Sequence, residues 1–205
     1  KSGDGEELDA YVLMIDKPLK EYLGRCIGVV HRLDAGVGGA MVYAKKPYAA
    51  AALSEAIRGR DFTKEYLCVV SGRPMEDAGE YRDLLWKDAK ANKVYVVDRT
   101  RNGVKEASLS YRVLQTVERD GEIYSLLCVT LGTGRSHQIR CQLSGMGCPI
   151  KGDLKYGAPR SNPDGGISLH ARKIEFVHPV SKLPISITAP VPNDALWQVL
   201  EQTGK

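Results

Sequence analysis

At 205 residues, 43% hydrophobic and 26% charged, the chain is long enough to bury a substantial core and too apolar for a disordered polymer. Its longest apolar runs fall well short of the ~20 residues that a membrane-spanning helix needs, and Lys1 to Asp9 is polar and acidic, without the apolar stretch of a signal peptide. Lys and Arg number 29 against 25 Asp and Glu, and the resulting +4 permits nucleic-acid binding without demanding it.

In chain order, residues 10–16 (AYVLMID) read as a short strand ended by Lys17-Pro18. Two apolar runs, Ile27 to Val30 and Ala40 to Ala44, flank a glycine-rich loop. PYAAAALSEAIRGR begins with a first-turn proline, is alanine-rich and reaches Gly59 near its end, which predicts a helix. Lys64 to Ser71 (KEYLCVVS) has the β-branched and aromatic content of a strand, and further strands are expected at Val94 to Asp98, Ala107 to Gln115 and Ile123 to Leu131. Ser136 to Met146 shows helical spacing, with Ile139 and Leu143 four apart, Arg140 and Gln142 on other faces and Ser136 placed to cap. GAPRSNPDGG (residues 157–166) reads as a loop, Ser168 to Thr188 alternates strand and turn, and a short helix is expected near Asp194 to Glu201. Many strands with two or three helices predict an α+β fold with a mainly antiparallel mixed sheet, in a single domain over residues 1–205.

The five cysteines are odd in number and none forms a C-x-x-C pair. Cys68 and Cys128 lie inside apolar runs, so free buried thiols in a reduced, cytoplasmic protein are expected. The four histidines lack metal-ligand spacing, and no metal site is expected.

Residues 30–45, VHRLDAGVGGAMVYAK, place Asp34 in a bend with Gly36, Gly38 and Gly39, beside His31 and Arg32. Asp and Gly are the ordinary residues of a reverse turn, which is the plainest reading. Glycines also let a substrate approach the backbone and hold an acid where chemistry occurs. A second informative stretch, TGRSHQIRCQLSGMGCPIKGDLKYG (residues 133–157), sets Arg135 just before the helix; a lone arginine is ordinarily a surface residue. A third, TKEYLCVVSG, carries Tyr66 on a strand near Lys64, where a tyrosine ordinarily packs half-buried.

Taken together, HRLD, then K-x-Y-x-x-V-x-x-G, then TGR-x-HQIR…G-x-P-I-x-GD…YG resembles the RluA-type RNA pseudouridine synthases. The resemblance extends to VLMIDKP (residues 12–18), GVKEASLSYRVL (103–114) and LHARKIEFVHPVSKLPISITAPVP (169–192). It implies a pseudouridine synthase-like catalytic domain acting on ribosomal or transfer RNA, with no cofactor, because the reaction involves neither net redox change nor hydrolysis; assembly state is not read from the sequence, and a monomer is the default expectation. By the same resemblance Asp34 is the catalytic carboxylate, Tyr66 stacks on the flipped uracil and Arg135 pairs with Asp34. His31, Arg32, Lys64 and Arg140 are assigned to RNA contact, with a structural hydrogen-bonding role equally open to His31 and Arg140 standing as the second choice for the partner of Asp34.

The family usually has Thr-Ser where Val37 and Gly38 stand, and its segment between Pro18 and His31 is longer, which points either to a trimmed lobe or to residues missing there. No S4-like RNA-binding module is seen, so substrate choice is expected to come from the catalytic domain or from elements absent from this sequence. Three rivals remain at this stage: a non-catalytic RNA-binding paralogue, a base-flipping glycosylase that releases free uracil, and a small-molecule enzyme whose basic residues are merely solvated.

Overall fold

The computed structural model describes residues 10–14 and 28–202. The elements begin β1 (Ala10–Met14), β2 (Gly28–Val29), β3 (Gly38–Ala44), α1 (Pro47–Gly59) and β4 (Phe62–Ser71). They continue β5 (Ala78–Asp88), β6 (Lys93–Val97), β7 (Val104–Arg119), β8 (Glu122–Leu131), α2 (Gln138–Gly145), a 3-10 turn (Leu154–Tyr156), β9 (Leu169–Val177), β10 (Pro184–Thr188) and α3 (Ala195–Gln202). The α+β class with mainly antiparallel pairing is thus as expected.

The chain divides into two compact units. Among the described residues one comprises 10–14, 28–33, 38–64 and 171–189. In it β3 pairs antiparallel with β1 and with β2, and β9 with β10. Pro47 opens α1, and Arg60 closes it in the left-handed conformation (φ 68°), its N–H returning to the Ala56 carbonyl. Val42, Leu53, Phe62, Ile174 and Phe176 close the core of this unit, with the Phe62 and Phe176 rings stacked 5.2 Å apart. Gly39 is required here: its φ is +120°, and a Cβ would stand 2.3 Å from the Ala171 carbonyl oxygen.

The other unit comprises, among the described residues, 34–37, 65–170 and 190–202. Its strands run β4-β8-β7-β5-β6, each pair antiparallel. Side chains alternate across a strand, so each face is legible from the register. One face carries Leu67, Val69, Leu126 and Cys128, covered by Leu196, Trp197 and Leu200 of α3. The opposite face carries Leu85, Val94 and Ala107, packed against Cys141 of α2 and against Tyr156.

Three details differ from the sequence-based expectation. The strand β5 was not anticipated, and β7 is longer at both ends than Ala107 to Gln115. The helix α2 starts two residues later than Ser136, because His137 takes a left-handed conformation (φ 48°) and itself becomes the residue before the first turn. Nor does α2 have a polar outer face over its first turns: Gln138, Arg140 and Gln142 are as buried as Ile139 and Leu143. The two amide N–H groups find internal partners, Gln138 donating to the Ser108 carbonyl and Gln142 to Asp83, while Gln142 Oε1 is buried without one. The first expected strand is present as β1; Asp16, and most of the segment between Pro18 and His31, lie outside the described residues.

Candidate active site

Asp34 opens a four-residue turn in which the Val37 N–H donates to the Asp34 carbonyl at 3.1 Å. Gly36 occupies the third position at φ +80°, the value a type II turn requires and a side chain resists. The turn is backed by the loop before β9: the Ile167 N–H donates to the Gly36 carbonyl at 3.4 Å, and a Cβ on Gly36 would lie 3.4 Å from Gly166. The plain reading of this segment as a turn is therefore correct, and the turn leaves the Asp34 side chain 26% exposed.

Arg140 projects from α2 toward that carboxylate. Its Nη1 lies 3.4 Å from Asp34 Oδ2, while Nε and Nη2 donate to the two oxygens of Asp153 at 2.6 and 2.8 Å. The guanidinium is thus anchored at two points by one acid and presents its remaining edge to the other. Asp153 is 1% exposed and follows Gly152, whose close packing against Asn162 and the Gly166 carbonyl excludes any side chain. Burial alone would lower the Arg140 pKa, and the hydrogen bonds and charge of Asp153, with those of Asp34, reverse that and raise it.

Below the guanidinium, the Tyr156 ring centroid lies 4.9 Å from Arg140 Cζ. The Tyr156 hydroxyl accepts from the Val94 N–H at 2.8 Å and is 2.9 Å from His137 Nδ1; burial pushes its pKa up to about 12. Burial also lowers the His137 pKa; the Asp34 charge opposes this, and Arg140, Lys155 and Lys87 reinforce it.

Tyr66 stands on β4, directly opposite Val129 and on the sheet face that α2 covers. It is buried, and its phenol pKa is raised by burial first and by the negative charge of Asp34 second. Asp34, Tyr66 and Arg140 therefore belong to one electrostatic cluster.

Arg135 does not. Its Nε donates to the Glu106 carbonyl at 2.9 Å, and its side chain is exposed. The described structure sets Arg140, the second choice for this pairing, against Asp34, and Arg135, the first choice, against the Glu106 carbonyl. The physical reason is position: Arg135 precedes α2 and lies along β7, whereas Arg140 projects from the buried face of the helix. Asp153 and Tyr156, quoted in the sequence stretch but given no role, complete the cluster; the Gly-Asp and Tyr-Gly pairs were their only sequence signal.

The remaining expected residues fall in the first unit. His31 Nε2 accepts the Val42 N–H at 3.0 Å, and burial with the nearby Lys64 charge holds its pKa down at about 4. It is a neutral strut for β3. Lys64 lies 6.0 Å from the Phe62 ring centroid with its pKa lowered by burial, and Arg32 is exposed. Among the described residues Cys68, Cys128, Cys141 and Cys148 are free and buried, no three His, Cys, Asp or Glu side chains converge to hold a metal ion, and no helix is long and apolar enough to cross a membrane.

Comparison with known proteins bears on the same residues. Among curated proteins the chain is 35% identical over 190 residues to ribosomal large subunit pseudouridine synthase D of Xylella fastidiosa, covering 84% of this chain and 54% of that one. It is 32% identical over 178 residues to an uncharacterised RNA pseudouridine synthase of Bacillus subtilis, covering 87% and 56%. The chain thus spans little more than half the length of these relatives. Among solved structures it is similar to human RNA pseudouridylate synthase domain containing 4, with a TM-score of 0.67, 25% identity, and coverage of 86% of this chain and 75% of that one. The family model described as RNA pseudouridylate synthase matches residues 9–145, a span that includes the Asp34 turn, β4 and the whole of α2. The chain belongs to the RNA pseudouridylate synthase family.

Proposed function

We propose that this chain converts uridine in structured RNA to pseudouridine, with Asp34 as the catalytic carboxylate and Arg140 as its partner. The observation that carries this is the partly exposed acid on a glycine turn, faced by a guanidinium that a buried second acid holds in place. In the reaction the C1′–N1 bond breaks, the uracil turns, a C1′–C5 bond forms, C5 loses its proton and N1 regains one. An ionised carboxylate beside C1′ and C2′ serves as nucleophile or base. Flipping the uridine out of its stack costs a few kcal/mol and calls for a ring to receive it, the role given to Tyr66. With its pKa raised, the Tyr66 hydroxyl is neutral at pH 7 and suits a stacking or proton-relaying contact rather than a phenolate base.

Arg135 and Arg32, both exposed, suit contacts to RNA phosphates, while the half-buried Lys64 and the neutral His31 favour shaping the first unit. Relatives named for the large ribosomal subunit make ribosomal RNA the first substrate to try, with transfer RNA beside it. The test is tritium release from C5-labelled uridine in unmodified ribosomal and transfer RNA transcripts, with the wild-type protein and with Asp34→Asn. The amide keeps the shape and removes the charge, so release should vanish while RNA binding persists. Full turnover by Asp34→Asn would sink the assignment.

A further inference from the structure

The hairpin of β5 and β6, with the turn that leads into β7, has a feature that the Asp34 chemistry does not use. Between Trp86 and Lys105 the sequence carries six basic residues, Lys87, Lys90, Lys93, Arg99, Arg101 and Lys105, against two acids. That excess equals the net charge of the entire chain, so the remainder is balanced. Both acids are engaged locally: Asp88 accepts the Lys90 and Ala91 N–H groups of the hairpin turn, and Asp98 lies 3.6 Å from Arg99. Lys155 adds to the excess by donating to the Asn92 carbonyl at the same turn.

The cations alternate with rings in space. Trp86 and Tyr95 are direct cross-strand partners, their rings 6.3 Å apart and 29° from parallel. Arg101 lies 4.5 Å from the Trp86 ring centroid. The Lys93 ammonium is 5.5 Å from the Tyr95 centroid and 5.4 Å from that of Tyr156, the ring on which Arg140 rests. By strand alternation Trp86 and Tyr95 point away from α2, onto the part of the sheet that α3 leaves uncovered, and Tyr95 is 40% exposed. Since β6 is the edge strand, Lys93 links the two faces across it. A row therefore runs Asp34, Arg140, Tyr156, Lys93, Tyr95, Trp86, Arg101.

We propose that this hairpin is a binding track for single-stranded RNA flanking the target uridine, in which a base stacks on Tyr95 and Trp86 and the backbone phosphates meet Lys93 and Arg101. Interleaved rings and positive charges are what a single strand requires: every base has a face to stack, and every link a charge to neutralise. An acidic or apolar protein partner would need only the charges or only the rings. The positive field extends to the reaction centre, since Lys87 and Lys155 both act on His137 beside Arg140. The inference rests on the proposed RNA substrate but not on the Asp34 chemistry.

The probe is a fluorescent twelve-nucleotide oligouridylate, titrated into the full chain over a range of salt concentrations. Tyr95→Leu should weaken binding about tenfold, the loss of roughly one base–ring stack, without changing the salt dependence. Lys93→Gln with Arg101→Gln should flatten the slope of log affinity against log salt by about 0.7 for each charge removed. All the substituted side chains lie at the surface edge of the hairpin, and a thermal melt matching wild type confirms that each variant is folded. Wild-type affinity and slope in both variants would overturn the track. If Asp34-dependent tritium release fails while these binding losses appear, the isomerase reading falls and the track stands; active protein with unaffected binding gives the reverse.

Discussion

Replacing Arg140 by methionine separates two roles of one guanidinium. The side chain is 10% exposed and makes bonds of 2.6 and 2.8 Å to Asp153, itself 1% exposed, against a looser 3.4 Å contact to Asp34. Most of the structural loss therefore falls on Asp153, left as a buried carboxylate without its cation. Removing one member of such a pair costs roughly 3–5 kcal/mol. At about 2–4 °C per kcal/mol for a chain of this size, the melting temperature should fall by about 6–20 °C. Arg140→Met combined with Asp153→Leu removes both buried charges and should recover most of that loss, because an apolar pair of similar volume is often neutral in place of an ion pair. Tritium release should not recover, since Asp34 still lacks its cation. Thermal unfolding and tritium release on wild type, single and double variants complete the cycle. A double variant that regains activity together with stability would refute a direct role of Arg140 at Asp34, and an unchanged melt for Arg140→Met would refute the energetics.

Arg135→Ala removes an exposed side chain with one hydrogen bond to a backbone carbonyl, so stability should change by about 1 kcal/mol or less in urea unfolding. Its tritium release on a short substrate should stay far above that of Arg140→Met; equal loss would restore Arg135 as a catalytic group. Tyr66→Phe should retain RNA affinity and lower the rate, whereas Tyr66→Leu should weaken both, as read by binding and single-turnover kinetics. His31 titrates near 6.5 when unfolded and at about 4 when folded, so the unfolded chain binds the extra proton between those values. Stability is full above pH 6.5 and falls as the pH drops toward 4, by roughly 3 kcal/mol, and His31→Gln should flatten that part of the profile.

What the sequence makes legible follows from how local each signal is. KEYLCVVS is a strand by composition, and the same composition holds once it pairs with β8. The Asp34 turn was legible because Asp and Gly specify it within four residues. The strand β5, AGEYRDLLWKD, was hidden because its exposed positions include Ala78, Glu80 and Lys87, residue types that strands disfavour. The identity of the arginine on Asp34 was not legible either. Choosing between Arg135 and Arg140 requires knowing where α2 starts and which of its faces is buried, and a helix that buries Gln138, Arg140 and Gln142 defeats the amphipathic rule. Asp153 looked like part of a loop because only tertiary packing reveals that its carboxylate is shielded from water.

The turn that carries Asp34 is made early in synthesis, but the side chains and the loop that support it from outside are made late. Arg140 is 106 residues downstream, and Asp153 and Ile167 come later still. At translation speeds of about 5–20 residues per second, the carboxylate leaves the ribosome roughly 5–20 s before its cation. A nascent chain in that interval has the acid and Tyr66 but not the partner, the buried anchor or the supporting loop. The guanidinium, its buried anchor and the supporting loop thus join the acid only after more than a hundred further residues have been added.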